Sequence, residues 1–195
     1  LARRRGRDGW RLQIAGDGES LPALRELVTA ERLDDVVEFT GWLDESGVDR
    51  LLAGAAVAVQ PDPRTAHTEL STMAKTVEYL ARGVPVVAVD LAETRASAGD
   101  AAVYVPDGTP EQLAAAVGAL LDDPVRRSAL SAAARRRYRD SLAWEHQAEA
   151  YLTIWQRLLG PKAAADLGSP TGRSGNRLSN LAETSSADAV QPSKP

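Results

Sequence analysis

No cysteine occurs among the 195 residues, and methionine and phenylalanine appear once each. Disulfides, thiolate metal sites and cysteine nucleophiles are therefore excluded. Histidine is nearly as scarce, with His67 and His146 far apart in the chain, so no metal site is expected. No apolar run approaches the roughly 20 residues of a membrane-spanning helix, and no signal peptide is visible. A cytoplasmic location follows as the expectation, with peripheral membrane association left open. An excess of basic charge is missing too. Lys and Arg total 23 against 27 Asp and Glu, giving a net charge of −4, which argues against a nucleic-acid partner held by bulk charge. No Ser-His-Asp arrangement is legible, and no residue stands out as a general base. The chain opens on Leu1 and its single methionine is Met73, so we read it as a piece of a longer protein.

What is present suits one globular domain, with 44% hydrophobic and 26% charged residues. Strands are predicted over 10–15, 36–40, 56–59, 85–89 and 101–105. Helices are predicted over 21–32, 46–55, 92–98, 110–121, 124–138 and 144–159, and one more opens at Ser71 or Thr72 and stops at Arg82-Gly83. Strands alternate with helices, and several strands are continuous apolar runs. The fold class expected is α/β, a Rossmann-like doubly wound parallel sheet covered on both faces. Residues 1–9 read as a truncated linker or helix remnant, 10–159 as the folded domain, and 160–195, rich in Ser, Gly, Pro and Ala, as a disordered tail. Trp144, Tyr151 and Trp155 recur at helical spacing and are expected to anchor the last helix to something apolar.

Doubly wound sheets bind ligands outside the carboxyl ends of their strands. The chain is organised around residues 67–89, a loop, a capped helix and a buried strand. A helix start exposes N–H donors and the positive end of its dipole, which suit a phosphate. Lys75 and Glu78 lie three apart near that start, where a carboxylate one turn further in can accept from a ribose diol. A solvated Lys75–Glu78 pair is the plainer alternative. Gly16 and Gly18 follow a strand and would let a phosphate or sugar approach the backbone, although a tight turn explains them without a ligand. Trp42 ends a strand on the same edge, where it can stack on a base, packing being the favoured reading. Arg95 is placed to pair with a phosphate or with Glu93. Arg135, Arg136 and Arg137 read as a solvated helix end.

Five short motifs in order carry a family resemblance. They are Leu12-Gln-Ile-Ala-Gly-Asp-Gly, Val37-Glu-Phe-Thr-Gly, Ala56-Val-Ala-Val-Gln-Pro, Glu78-Tyr-Leu-Ala-Arg-Gly-Val-Pro-Val-Val-Ala and Trp144-Glu. Together they resemble the C-terminal, donor-binding domain of the GT-B-fold retaining glycosyltransferases of family 4 (group 1). Pro61-Asp62-Pro63 and the segment from Ser71 to Lys75 look like a subgroup with a shortened donor-site loop.

The resemblance implies that this domain holds a nucleotide-diphosphate sugar. A separate N-terminal domain of the same protein would hold the acceptor, whose identity the sequence leaves unknown, and the last helix would cross back to that domain. Glu78 matches the second glutamate of the family's Glu-x7-Glu motif, which binds the ribose. The first glutamate falls at Leu70, a departure from the pattern, with Glu69 one residue away as its stand-in. Backbone amides around Leu70, Ser71, Thr72 and Met73 match the segment that receives the distal phosphate, and Lys75 partly replaces the cations that grip the diphosphate. No cofactor is implied beyond the donor, and no metal. The activity implied is hexosyl transfer, with Glu69 and Lys75 as the catalytic candidates and this fragment alone expected to be inactive. Two other readings stay open, a non-catalytic nucleotide-binding or interaction module and an enzyme resembling the nucleotide-sugar epimerases.

Overall fold

The computed structural model describes residues 1–159; the tail expected over 160–195 lies outside the described residues. After a short helix α1 (Ala2–Arg5), strands and helices alternate: β1 (Leu12–Ala15), α2 (Leu21–Ala30), β2 (Val37–Gly41), α3 (Glu45–Ala53) and β3 (Ala58–Gln60). The chain continues through α4 (Ala66–Glu69), α5 (Ala74–Arg82), β4 (Val86–Val89), α6 (Ala92–Ala98), β5 (Ala102–Val105), α7 (Pro110–Asp122), α8 (Pro124–Arg137) and α9 (Trp144–Leu159).

Among the described residues the strands form two ladders, each parallel. β1 pairs with β2, Leu12 opposite Val37, and β4 lies between β3 and β5, Val86 opposite both Ala58 and Ala102. β1 and β3 do not pair with each other. Burial follows this division. Every residue of β4 is buried, whereas Leu12 of β1 is 42% exposed and α2 buries no residue.

Successive side chains of a strand point to opposite faces, and β4 shows the consequence. Val86 and Ala88 pack with Leu80 of α5, Ala98 and Ala134 on one side. Val87 and Val89 pack with Leu91, Val105, Leu120 of α7 and Leu130 on the other. A continuous Val-Val-Ala-Val run is what a strand covered on both faces requires.

Local signals set the helix ends. Asp44 accepts from Gly47 N at 2.7 Å to open α3, and Thr109 with Pro110 opens α7. Gly83 ends α5 in the left-handed conformation, φ 69°, which glycine enters without a Cβ penalty. Arginines of α8 close two other helices. Arg127 donates to the last-turn carbonyls of Leu120 and Leu121 in α7 at 2.5 and 2.6 Å. Arg137 donates to Ala96 and Ser97 in α6 at 2.6 and 2.9 Å. Cations at helix C-termini are favoured by the dipole as well as by the hydrogen bonds. Arg137 is therefore not part of a solvated helix end.

α9 leads from one compact unit, Leu1–Ala148, into a second that begins at Glu149. Within the second, the rings of Tyr151 and Trp155 meet edge to face at 6.0 Å. Trp144, Tyr151 and Trp155, expected as apolar anchors, are 62%, 50% and 40% exposed. Among the described residues no helix is long and apolar enough to cross a membrane.

Candidate functional site at the carboxyl edge of the sheet

β3 ends at Gln60, whose side chain is wholly buried. Its Nε2 donates to Asp62 Oδ2 at 2.9 Å, and both oxygens of Asp62 accept from Lys75 Nζ, at 2.9 and 2.8 Å. Lys75 is the second residue of α5, so this chain of contacts fixes an ammonium at the start of a helix and at the carboxyl end of a strand. An ammonium has three donors, and two are directed at Asp62. The Lys75–Glu78 pair considered from the sequence is not formed; the loop brings Asp62 closer than the helix brings Glu78. Burial, then the carboxylates of Glu78 and Asp62, push the Tyr79 phenol above its ordinary pKa.

The start of α5 differs from expectation. Met73, not Ser71 or Thr72, is its N-terminal cap, with no side-chain hydrogen bond. The hydroxyls have other partners: Ser71 donates to His67 O at 2.7 Å and Thr72 to Glu93 Oε2 at 2.9 Å. Capping chemistry is used one helix earlier, where Thr65 and Thr68 form a capping box at α4. Met73 is half-buried against the core beside β4. The first turn of α5 thus offers backbone donors with no side chain across them.

Glu69 is engaged at the neighbouring helix. Its Oε2 accepts from Ala92 N at 2.7 Å, at the start of α6, and its Oε1 accepts from Arg64. Arg64 also donates to Asp90 O, and to Pro106 O at 3.5 Å. The segment 61–73 is thereby strapped across the ends of β4 and β5. Arg95 pairs with Asp90, Nη2 to Oδ2 at 2.8 Å, and not with Glu93. Its guanidinium lies over the Tyr104 ring, 4.3 Å from the centroid. The hydrogen bonds from Arg95 hold the Asp90 carboxyl below the usual carboxylate range. Burial pushes the Tyr104 phenol to about 12.

The remaining candidates are spread along the edge. Gly16 N donates to Gly41 O at 2.8 Å, tying the ends of β1 and β2 together, and nothing crowds the missing Cβ of Gly16 or Gly18. Trp42, expected to pack, is 77% exposed. Glu78 is exposed and lines a cleft of about 440 Å³ with Glu45, Val48 and Tyr138. Leu70, at the position of the motif's first glutamate, is 83% exposed. Gln60 and Asp62 fell inside motifs read from the sequence but without a site role, and Arg64 was not singled out. The signal for Asp62 was an acidic residue between two prolines directly after an apolar strand. Among the described residues no three His, Asp or Glu side chains gather as metal ligands would.

Residues 1–123 match the family described as glycosyl transferases group 1, and the chain belongs to that family. The D-inositol 3-phosphate glycosyltransferase of Kineococcus radiotolerans is 33% identical over 162 residues, which cover 77% of this chain and 36% of that protein. A GDP-mannose-dependent monoacylated alpha-(1-6)-phosphatidylinositol monomannoside mannosyltransferase of Corynebacterium glutamicum is 32% identical over 149 residues, 74% of this chain and 38% of the relative. The chain thus spans well under half the length of these relatives. Among solved structures, sucrose-phosphate synthase from Thermosynechococcus elongatus aligns with TM-score 0.64 at 22% identity, over 76% of this chain and 38% of that one. Anabaena HepE in complex with UDP and glucose aligns with TM-score 0.60 at 16% identity, over 73% of this chain and 40% of that one. The fold is that of the C-terminal domain of a GT-B glycosyltransferase.

Proposed function

We propose that this chain is the donor-binding half of a cytoplasmic, retaining glycosyltransferase of family 4. It takes a nucleotide-diphosphate sugar and delivers the sugar to an acceptor held by an N-terminal domain of the same protein. The observation that carries the reading is the Lys75 ammonium, fixed by Asp62 beside the open first turn of α5. A cation and free backbone N–H groups converge there on the space outside the strand ends, where such sheets bind ligands. The match to glycosyl transferases group 1 and the likeness to a fold seen with bound UDP support the same reading.

The mechanism follows from where charge develops. As the bond from the sugar's anomeric carbon to the β-phosphate breaks, negative charge grows on the departing oxygen. Preorganised donors aimed at that oxygen lower the barrier without reorganising. Lys75 contributes its third N–H and its charge, and the α5 amides around Met73 to Lys75 contribute the helix start. Glu78, one turn on, accepts from the ribose hydroxyls. Trp42, Gly16, Gly18 and Arg95 line the rest of the edge, where an exposed indole offers a stacking face to the base. The acceptor hydroxyl enters on the face the leaving group vacates, giving retention, and its proton passes to the departing phosphate oxygen. No metal is required in this scheme, because Lys75 and the helix start supply the positive potential. Without the acceptor half, this chain is expected to bind donor but not turn it over.

The test is thermal stability with UDP, GDP, ADP and dTDP in turn. A ligand at 100 times its Kd adds about 2.7 kcal/mol to native-state stability, a plain rise in melting temperature. One nucleotide is expected to give that rise, and Glu78→Ala to remove most of it. An unchanged rise in Glu78→Ala would refute the ribose assignment. No rise with any of the four would refute the donor site in this chain.

A further inference from the structure

A second cleft lies at the opposite, amino edge of the sheet. It has a volume of about 610 Å³ and is floored by the residues that lead into β3 and β4, Ala55, Ala56, Val84 and Pro85. The four residues of β4 separate it from the nucleotide edge, roughly 13 Å at the rise of a strand. Nothing in the donor reading uses it.

Its walls carry more positive charge than its architecture consumes. Arg82, Arg127 and Arg135 line it against one carboxylate, Asp49, in a chain whose net charge is −4. Arg82 is spent, donating Nε to Asp49 at 2.7 Å and Nη1 to Glu78 O at 3.3 Å. Arg127 commits one nitrogen to the end of α7, both bonds being made by Nη1. Arg135 lies flat against Gly83, its Nε 2.5 Å from where a Cβ would stand. It makes no hydrogen bond or ion pair among the described residues. Ser128, Ser131 and Arg135 recur three and four residues apart, which sets them on one face of α8. All three line the cleft, and neither hydroxyl is hydrogen-bonded among the described residues.

Charge at a helix end accounts for Arg127, and the ion pair accounts for Arg82. Arg135 and Ser128 are exposed and Ser131 is half-buried, so the three present to the cleft donors that no group among the described residues takes up. A guanidinium fork with adjacent hydroxyls matches the geometry of a tetrahedral oxyanion, as arginine does wherever phosphate is recognised. We infer that the amino-edge cleft is a second binding site, for a phosphate group, in which Arg135 is the principal ligand and Ser128, Ser131 and Arg127 complete the shell. The phosphate belongs either to a soluble phosphorylated compound or to a lipid headgroup. Glycine at position 83 serves this site by letting the Arg135 side chain lie close to the backbone.

The experiment adds inorganic phosphate to the unaltered chain, to Arg135→Gln, to Lys75→Gln and to the double variant, with ionic strength matched by sodium chloride. At about ten times Kd the melting temperature is expected to rise by roughly 3 °C in the unaltered chain and in Lys75→Gln. The rise that remains in Lys75→Gln is expected to disappear when Arg135→Gln is combined with it. Amide resonances of Gly83, Ser128 and Ser131 are expected to move on titration of the unaltered chain, a readout that needs no variant to fold. A rise retained in Arg135→Gln and lost in Lys75→Gln would put the anion at the carboxyl edge and overturn this inference, leaving the donor reading standing. Absence of any rise, or unmoved resonances at those three amides, overturns it as well. Sedimentation with phosphatidylglycerol vesicles, but not with phosphatidylcholine, would name a headgroup if Arg135→Gln abolished it. A thermal rise without sedimentation would name a soluble compound.

Discussion

Replacing Asp62 with alanine would strand two groups at once, the Lys75 ammonium and the buried Nε2 of Gln60, whose Oε1 already lacks a partner among the described residues. A buried donor left unsatisfied costs about 1–3 kcal/mol, so Asp62→Ala is expected to lower stability by that amount, read from the urea midpoint at unchanged slope. Lys75→Met is expected to cost less, because the pair is partly exposed, 42% at Lys75 and 23% at Asp62, and screened pairs are worth little. Equal losses in the two variants would show that Gln60 does not depend on Asp62. At this scale the sequence placed Lys75 and Glu78 on one helix, because their spacing is readable. Asp62 was not legible as the partner of Lys75. It lies 13 residues before Lys75, and only the path of the intervening loop brings them together.

Elements were legible where hydrophobic period and capping chemistry agree. The apolar run of β4 and the proline starts of α7 and α8 fall where expected. The start of α5 does not, because Ser71 and Thr72 are good caps in isolation but find partners at His67 and Glu93. Local propensity is overridden by such longer-range bonds. The strap over residues 61–73 and the loop into α6 meet at Asp90, which gives this region an acid-sensitive anchor. Hydrogen bonding from Arg95 holds the Asp90 carboxyl down, against a smaller opposing effect of burial. The unfolded chain therefore takes up this proton more readily than the folded one. The contribution is complete above the ordinary carboxylate range, roughly pH 5, and is lost as pH falls below 4 through the depressed folded value. Asp90→Asn is expected to flatten the acid limb of the melting-temperature profile in that window. An acid limb identical to that of the unaltered chain would place the sensitivity elsewhere.

For the molecule as a whole, the alternation of strands and helices gave the α/β class and the parallel pairing of the strands. The division into two ladders was not legible, because strand order depends on which edges meet and not on any period within a strand. It has a measurable signature. Opening free energy follows local burial, so amide exchange is expected to be slowest in β4 and much faster in β1, whose Leu12 remains exposed. Equal protection of β1 and β4 would mean that the two ladders open as one unit.

The arginines of α8 carry a different consequence. Arg127 and Arg137 reach to the ends of α7 and α6, so one helix ties two others by planar cation-to-carbonyl contacts. Guanidinium in solution is the same chemical group, free to take those carbonyls for itself, whereas urea brings no charge to them. Both denaturants solvate apolar surface and peptide groups, and guanidinium is expected in addition to compete, as a cation, for the carbonyls that Arg127 and Arg137 hold.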